Sequence, residues 1–173
     1  MNNRVSKSEM RLHVKELRAL AASYGCRIQI RYRPIIWNRY ESGKPNFGEV
    51  RGFYSGNFKY ISVVVYGRPA KRKILGVLAH EVRHAEHDFL GLFKDYYRKD
   101  LYLAYQACFN PSMVLPKSFK KPNNKIAFLA ENDCNKWADK FLISKGIKPL
   151  KDKYPFVDTF AYHINSRLKE KGL

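Results

Sequence analysis

The 173-residue sequence contains few cysteines, few acidic residues and no long apolar segment. Its three cysteines (Cys26, Cys108 and Cys134) are far apart and form no C-x-x-C pair, which excludes a cysteine-rich zinc site and fits reduced thiols better than a disulfide framework. The longest strongly apolar run, Ile61 to Tyr66, is too short to cross a bilayer, and no secretory signal is visible. We therefore expect a cytoplasmic protein, in a host cytoplasm or a virion, with no membrane partner.

Basic residues are abundant: 33 lysines and arginines against 15 acidic residues give a formal net charge of +18. Such an excess favours contact with a polyanion, either nucleic acid or an acidic protein surface, although a solvated surface that confers solubility is the simpler alternative. Two local concentrations are a strand face with alternating arginines and a basic loop further along the chain. The candidate nucleic-acid-binding residues are Arg27, Arg31, Arg33, Lys117, Lys120, Lys121 and Lys125.

The order of elements predicts an α+β fold, with a small antiparallel sheet packed on helices. We expect one domain over residues 1–173, with a helical extension over about 1–25, a core over about 26–146 and a carboxyl-terminal helix over about 156–170. The expected strands are Arg27–Arg33, Gly48–Tyr54 and Tyr60–Tyr66. The expected helices run from a capping box at Ser6 to Tyr24, then over Ile74–Phe89, Asp95–Phe109, Ile126–Lys145 and Phe156–Lys169.

The most informative motif is His80-Glu81-Val82-Arg83-His84, which has the H-E-x-x-H spacing of zinc hydrolases. Two histidines four residues apart lie on one helix face, so that both imidazoles can reach a single Zn²⁺. The intervening glutamate can then act as the general base on a water at the metal. A solvent-facing histidine pair on an ordinary amphipathic helix is the alternative.

The helix around this motif has a clear apolar stripe, formed by Leu75, Leu78, Val82, Ala85 and Phe89. On a helical projection His80 and His84 fall on the opposite side, with Glu81 at one flank. The pattern therefore predicts a helix anchored by one face, with the histidine pair at the floor of a cleft.

A catalytic zinc site needs a third protein ligand. His87 lies about 10 Å along the helix axis from His80, too far to complete a tetrahedron with this pair. The metzincin extension is absent, because Glu86 and Leu90 occupy its glycine and histidine positions. The better candidate is Glu131, at the edge of the buried stripe of a later helix. Asp133, on the other flank of that stripe, is the second choice.

Together these motifs resemble the gluzincin-type minimal metallopeptidases of the ImmA/IrrE-like group, over about residues 48 to 146. The resemblance rests on the strand Tyr60 to Val65, the segment Leu78 to Ala85, and a downstream pattern of Glu131, Cys134, Trp137 and Ala138. It implies that His80, His84 and Glu131 bind Zn²⁺ and that Glu81 is the general base. Two departures are Arg83, in place of a small residue, and a long insert between Gly91 and Lys125. SprT-like proteases are an alternative, and they would require His163 as the third ligand.

The resemblance implies a zinc-dependent endopeptidase that hydrolyses peptide bonds through a zinc-bound water, in a phage, virus or mobile-element context. Separately, the net charge suggests a substrate that is acidic or bound to nucleic acid, and Tyr60–Tyr66, if it is an edge strand, could bind that substrate by strand addition. Tyr162 and His163 are candidate oxyanion stabilisers. The competing hypothesis is a nucleic-acid-binding or virion structural protein that keeps the zincin fold with little or no peptidase activity.

Overall fold

A computed structural model describes residues 1, 4–34, 48–101, 119–150, 164–166 and 169–170. Three helices and a three-stranded sheet account for most of these residues, and short helical segments lie at 99–101, 164–166 and 169–170, so the α+β class is confirmed. In chain order the elements are α1 (Lys7–Ser23), β1 (Arg27–Arg33), β2 (Val50–Ser55), β3 (Tyr60–Tyr66), α2 (Lys71–Leu90) and α3 (Asn124–Ser144).

The helix ends follow local capping chemistry. At α1 the Ser6 hydroxyl accepts from the backbone N–H of Glu9 at 3.1 Å, and the Glu9 carboxylate accepts from the backbone N–H of Ser6 at 2.7 Å, which is the expected capping box. The Asn123 side chain caps α3 by accepting from the backbone N–H groups of Lys125 and Ile126. Gly146, at φ +70°, follows α3 in the left-handed conformation that glycine adopts without strain.

The sheet is mixed, and the expectation of an antiparallel sheet is wrong. Its strand order is β1-β3-β2, with β1 parallel to β3 and β2 antiparallel to β3. The β2–β3 hairpin reverses the chain once, and the β1–β2 connection has already reversed it, so β1 and β3 run in the same direction. β3 is the most apolar strand and takes the central place, where both of its edges are paired. It therefore cannot accept a substrate strand, contrary to the expectation from its sequence.

One face of the sheet packs on the helices. Ile61, Val63 and Val65 of β3 are buried at or below 1% exposure and share a core with Leu17 of α1 and Leu78 of α2. From Ile74 to Val82 every residue of α2 is buried, so this part of the helix is enclosed on all sides. Phe89, expected in its apolar stripe, is instead 58% exposed and packs against the ring of Tyr24.

The remaining predicted helices are described only in part. In the expected helix Asp95–Phe109, Tyr96 and Tyr97 lie in turns, helical backbone begins at Lys99, and the residues after Leu101 lie outside the described parts. Of the expected carboxyl-terminal helix, the described residues 164–166 and 169–170 are helical. None of the described helices combines the length and the apolarity needed to cross a membrane.

Candidate metal centre

The two motif histidines meet in the interior of the molecule. Their positions on successive turns of α2 bring the Nε2 atoms of His80 and His84 to 3.0 Å from each other, with the rings inclined at 74°. Both residues are buried, at 6% and 5% exposure. Two ring nitrogens this close require either a shared proton or a cation between them, because their lone pairs would otherwise repel.

Glu131 of α3 closes the third side of this arrangement. Its Oε2 lies 3.0 Å from Nε2 of His80, and its Oε1 lies 3.4 Å from Nε2 of His84. Burial would raise the pKa of Glu131, but the imidazoles of His84 and His80 outweigh burial and hold that pKa well below its usual range. The centre therefore contains a partly buried carboxylate, 17% exposed, that positive charge beside it stabilises.

The spacing of these donors fits a small tetrahedral ion. Donors bonded to zinc at 2.0–2.1 Å are separated from one another by about 3.3 Å in a tetrahedron. The observed separations run from 3.0 to 3.4 Å. The separations among His80, His84 and Glu131 are therefore close to those of donors around one tetrahedral ion.

The Nδ1 atoms of both histidines have partners that leave Nε2 available. Nδ1 of His80 lies 3.0 Å from Oδ1 of the buried Asn135, which accepts its hydrogen, so that Nε2 carries the lone pair. Nδ1 of His84 lies 2.6 Å from the hydroxyl of Tyr97.

A series of hydrogen bonds determines which ring nitrogen of His84 carries the hydrogen. His87 is fully buried, and its Nε2 donates to Oδ2 of Asp133 at 2.8 Å, because a carboxylate can only accept. Nδ1 of His87 must then accept from the Tyr97 hydroxyl, 3.1 Å away. The Tyr97 oxygen can in turn accept the Nδ1 hydrogen of His84, which leaves the lone pair on Nε2 of His84.

We call the hydrogen-bonded residues Asp133, His87 and Tyr97 the His87 relay. Arg83 binds the outer end of this relay. Its Nε donates to Oδ2 of Asp133 at 2.7 Å and its Nη1 to Oε2 of Glu86 at 2.5 Å. Burial, with help from His84 and Arg83, lowers the pKa of His87 to about 4 against the opposing effect of Asp133, so His87 is neutral at pH 7. Asp133 therefore supports the centre from outside, and the structure does not place it as the third ligand.

Cys134 offers an alternative donor that the sequence patterns did not single out as a ligand. It follows Glu131 by three residues on α3, is fully buried, and forms with His80 and His84 a group whose donor atoms all lie within 4.8 Å, so this group could hold a metal ion. Its Sγ, however, lies 3.3 Å from Nδ1 of His84, on the side of that ring away from the paired Nε2 atoms. Burial raises the pKa of the Cys134 thiol. The spacing from Glu131 is the signal that would have identified it.

Glu81 lies beneath β2, where a glycine makes room for its side chain. It is buried at 8% exposure, and a Cβ at Gly52 would come within 2.4 Å of Glu81 Oε1 and 2.7 Å of Val77 Cγ1. Burial raises the pKa of Glu81, while His80, His84 and the backbone N–H of Tyr54 act in the opposite direction. A buried carboxylate with a raised pKa beside two imidazoles has the properties of a general base.

Substitution of Gly52 by alanine tests this close approach. We expect Gly52→Ala to displace the Glu81 carboxylate and to lower the free energy of unfolding by about 1–3 kcal/mol, as overpacking does. Denaturant unfolding measures the effect. The matched control is Gly76→Ala on α2, where the new Cβ meets the flexible end of Leu150 at 2.8 Å and alanine favours the helix. Equal stability of the two variants would show that the Gly52 position tolerates a side chain.

The other predicted site residues are placed as follows. Tyr162, His163 and Lys117 lie outside the described residues. Two tyrosines that the sequence patterns did not single out reach the centre instead: Tyr97 through His84, and Tyr96 through a hydrogen bond from its hydroxyl to Oε1 of Glu131. The remaining candidate nucleic-acid-binding residues are all exposed: Arg27, Arg31, Arg33, Lys120, Lys121 and Lys125.

Comparison of the chain with models of protein families, with curated proteins and with solved structures found no match.

Proposed function

We propose that this protein is a zinc-dependent endopeptidase with a zincin-like fold, of the ImmA/IrrE-like kind. The observation that carries the proposal is the convergence of Nε2 of His80, Nε2 of His84 and the Glu131 carboxylate within 3.0–3.4 Å of one another in the protein interior. Two imidazoles and one carboxylate, with a fourth position for solvent, form a ligand set that catalytic zinc sites use.

A bound zinc ion supplies Lewis acidity, which lowers the pKa of water and polarises a carbonyl group. Glu81 supplies the proton transfer: its carboxylate takes a proton from the attacking water and passes it to the leaving amine. Tyr96 donates its hydroxyl hydrogen to Oε1 of Glu131 and so orients this carboxylate beside the two histidines. The His87 relay and Asn135 keep both histidine rings oriented.

The edge of β2 offers a place for a substrate strand. The backbone N–H of Tyr66 donates to the carbonyl of Glu49 at 2.8 Å, so these two residues form a hydrogen-bonded pair of the antiparallel ladder. By alternation, the backbone groups of Gly52 and Tyr54 point away from β3, and the N–H of Tyr54 is directed at the Glu81 carboxylate, a contact that a substrate strand would replace. An extended peptide added at this edge would run past the general base.

The first experiment measures metal content and metal-dependent cleavage in the full-length chain. We expect one zinc per chain by elemental analysis, cleavage of an unfolded acidic protein such as casein, loss of that cleavage with a chelator, and recovery with added Zn²⁺. A protein that stays metal-free when purified without chelators would contradict the proposal. A metal-loaded protein that cleaves no unfolded or natural partner protein would favour the alternative of a zincin-fold binding or structural protein.

Substitution with Co²⁺ separates the two candidate ligand sets. A carboxylate ligand gives a protein without a thiolate-to-cobalt charge-transfer band, whereas coordination by Cys134 would produce one. We expect no such band, and we expect Glu131→Gln to weaken metal binding more than Cys134→Ala does. The reverse result would assign the third position to Cys134 and would remove the basis for the gluzincin assignment.

A further inference from the structure

The outer sheet face, on the side away from α1 and α2, carries arginines on two strands. Arg27, Arg31 and Arg33 of β1 are exposed, and the Arg51 side chain of β2 is 59% exposed. The strand register places Arg31 and Arg51 on either side of Val64 in the central strand. The three strands contain no aspartate or glutamate. Glu49, directly before β2, accepts from Nε of Arg51 at 2.5 Å and offsets its charge, so the positive charge of the outer sheet face comes from Arg27, Arg31 and Arg33.

Aromatic rings lie among these arginines. Phe53 of β2 is 49% exposed, and Tyr60 and Tyr66 of β3 are half-buried on the same face. Arg51 lies over the Tyr66 ring, 5.7 Å from its centre, which shows that the two side chains share this face. At 49% exposure, Phe53 has much of its side chain in water, where a planar partner can reach it.

We propose that the outer sheet face binds single-stranded nucleic acid, with its arginines contacting phosphates and its aromatic rings stacking on bases. Arginines interleaved with exposed rings on an open sheet match the two components of single-strand recognition, a positive surface that follows the backbone and a stacking platform. The bases of a duplex are already stacked on each other, so a duplex gains only the phosphate contacts. An acidic protein surface would likewise make no use of the rings.

This proposal goes beyond the proposed peptidase and is independent of it. The metal centre lies among α2, α3 and the Tyr96–Tyr97 turn, on the opposite side of the sheet from the outer face. A bound strand would therefore leave the centre accessible and could hold the protein near proteins that coat the same strand.

The test measures fluorescence anisotropy of a labelled oligothymidine of about 20 nucleotides, and of a duplex of equal length, with the full-length protein at about 50 to 200 mM salt. We expect the single strand to bind more tightly than the duplex. Phe53→Ala should weaken single-strand binding by roughly 5- to 150-fold, the loss of one base stack, and Phe53→Leu should do the same while keeping apolar bulk. Neither change should alter the salt dependence.

Charge reversal tests the arginines separately. Arg31→Glu should lower the log–log salt slope by about 0.7 for each phosphate that the protein no longer neutralises. The controls are Arg18→Glu, an exposed position on α1 with the same change in net charge, and Phe128→Ala, a 46% exposed phenylalanine on α3. The proposal is overturned if the duplex binds as tightly as the single strand, if Phe53→Ala equals Phe128→Ala, or if Arg31→Glu equals Arg18→Glu.

Discussion

Replacing Glu81 by glutamine should lower the rate of peptide-bond cleavage by about 10²–10⁴-fold, the usual contribution of a general acid–base group, and should leave metal content unchanged. The amide is nearly isosteric with the carboxylate and still fits beneath Gly52, but it cannot accept the proton of the attacking water. Glu81 follows His80, a proposed ligand, in the chain and is not itself one of the converging donors. Cleavage rates at matched zinc occupancy measure the effect.

The control for this change is Glu16→Gln, at a 46% exposed side chain on α1 that pairs with Lys145 far from the centre. It should cleave at the wild-type rate. If Glu81→Gln cleaves as fast as the control, Glu81 is not the base. If Glu81→Gln loses zinc together with activity, the Glu81 carboxylate is a metal ligand rather than the general base.

Zinc affinity should distinguish a variant that lacks a proposed ligand from a variant that lacks a residue orienting that ligand. His87→Phe keeps a buried ring of similar size but removes the hydrogen bonds to Tyr97 and Asp133, and removing the groups that orient a ligand typically costs about 10–100-fold in metal affinity. His84→Ala removes a donor atom and should cost more than His87→Phe. Competition with a chromophoric chelator measures both affinities.

Thermal unfolding provides the second readout for these variants. Because a ligand that binds only the folded state stabilises it, a chelator should lower the melting temperature of the wild type and leave that of His84→Ala nearly unchanged. His13→Phe, on α1, is the matched control for His87→Phe and should keep wild-type zinc affinity. Equal zinc affinity of His87→Phe and His13→Phe would show that the His87 relay does not position His84.

Features encoded by neighbouring residues could be predicted from the sequence. The capping box at Ser6 and the alternating pattern of Arg27–Arg33 depend only on nearby residues, and both were located correctly, as was the apolar strand Tyr60–Tyr66. The strand order could not be predicted in this way, because the parallel pairing of Arg27 with Tyr60 joins residues far apart in the chain. Helical periodicity also placed Glu131 at the edge of a buried stripe, where the structure brings it to both histidines.

Helical periodicity could not predict which residues surround the centre. Tyr97 has the spacing of a helix with the residues that follow it, yet Tyr96 and Tyr97 lie in turns after Gly91 and Phe93, both at positive φ. Their hydroxyls bond there to Glu131 and His84. The distance along α2 argued against His87 as a partner of His80 on one metal, and the His87 ring nitrogens lie beside Tyr97 and Asp133. Only the fold shows that Tyr97 bridges the rings of His87 and His84.

The position of β1 at one end of the described sheet bears on self-association. An end strand presents unpaired backbone donors and acceptors that can pair with a second copy of the same chain. In such a pairing Arg27, Arg31 and Arg33 of two copies would lie side by side, and their like charges would oppose it, as would the net charge of +18. Since the screening length falls to about 3 Å in 1 M salt, this protection against edge-to-edge aggregation should weaken as ionic strength rises.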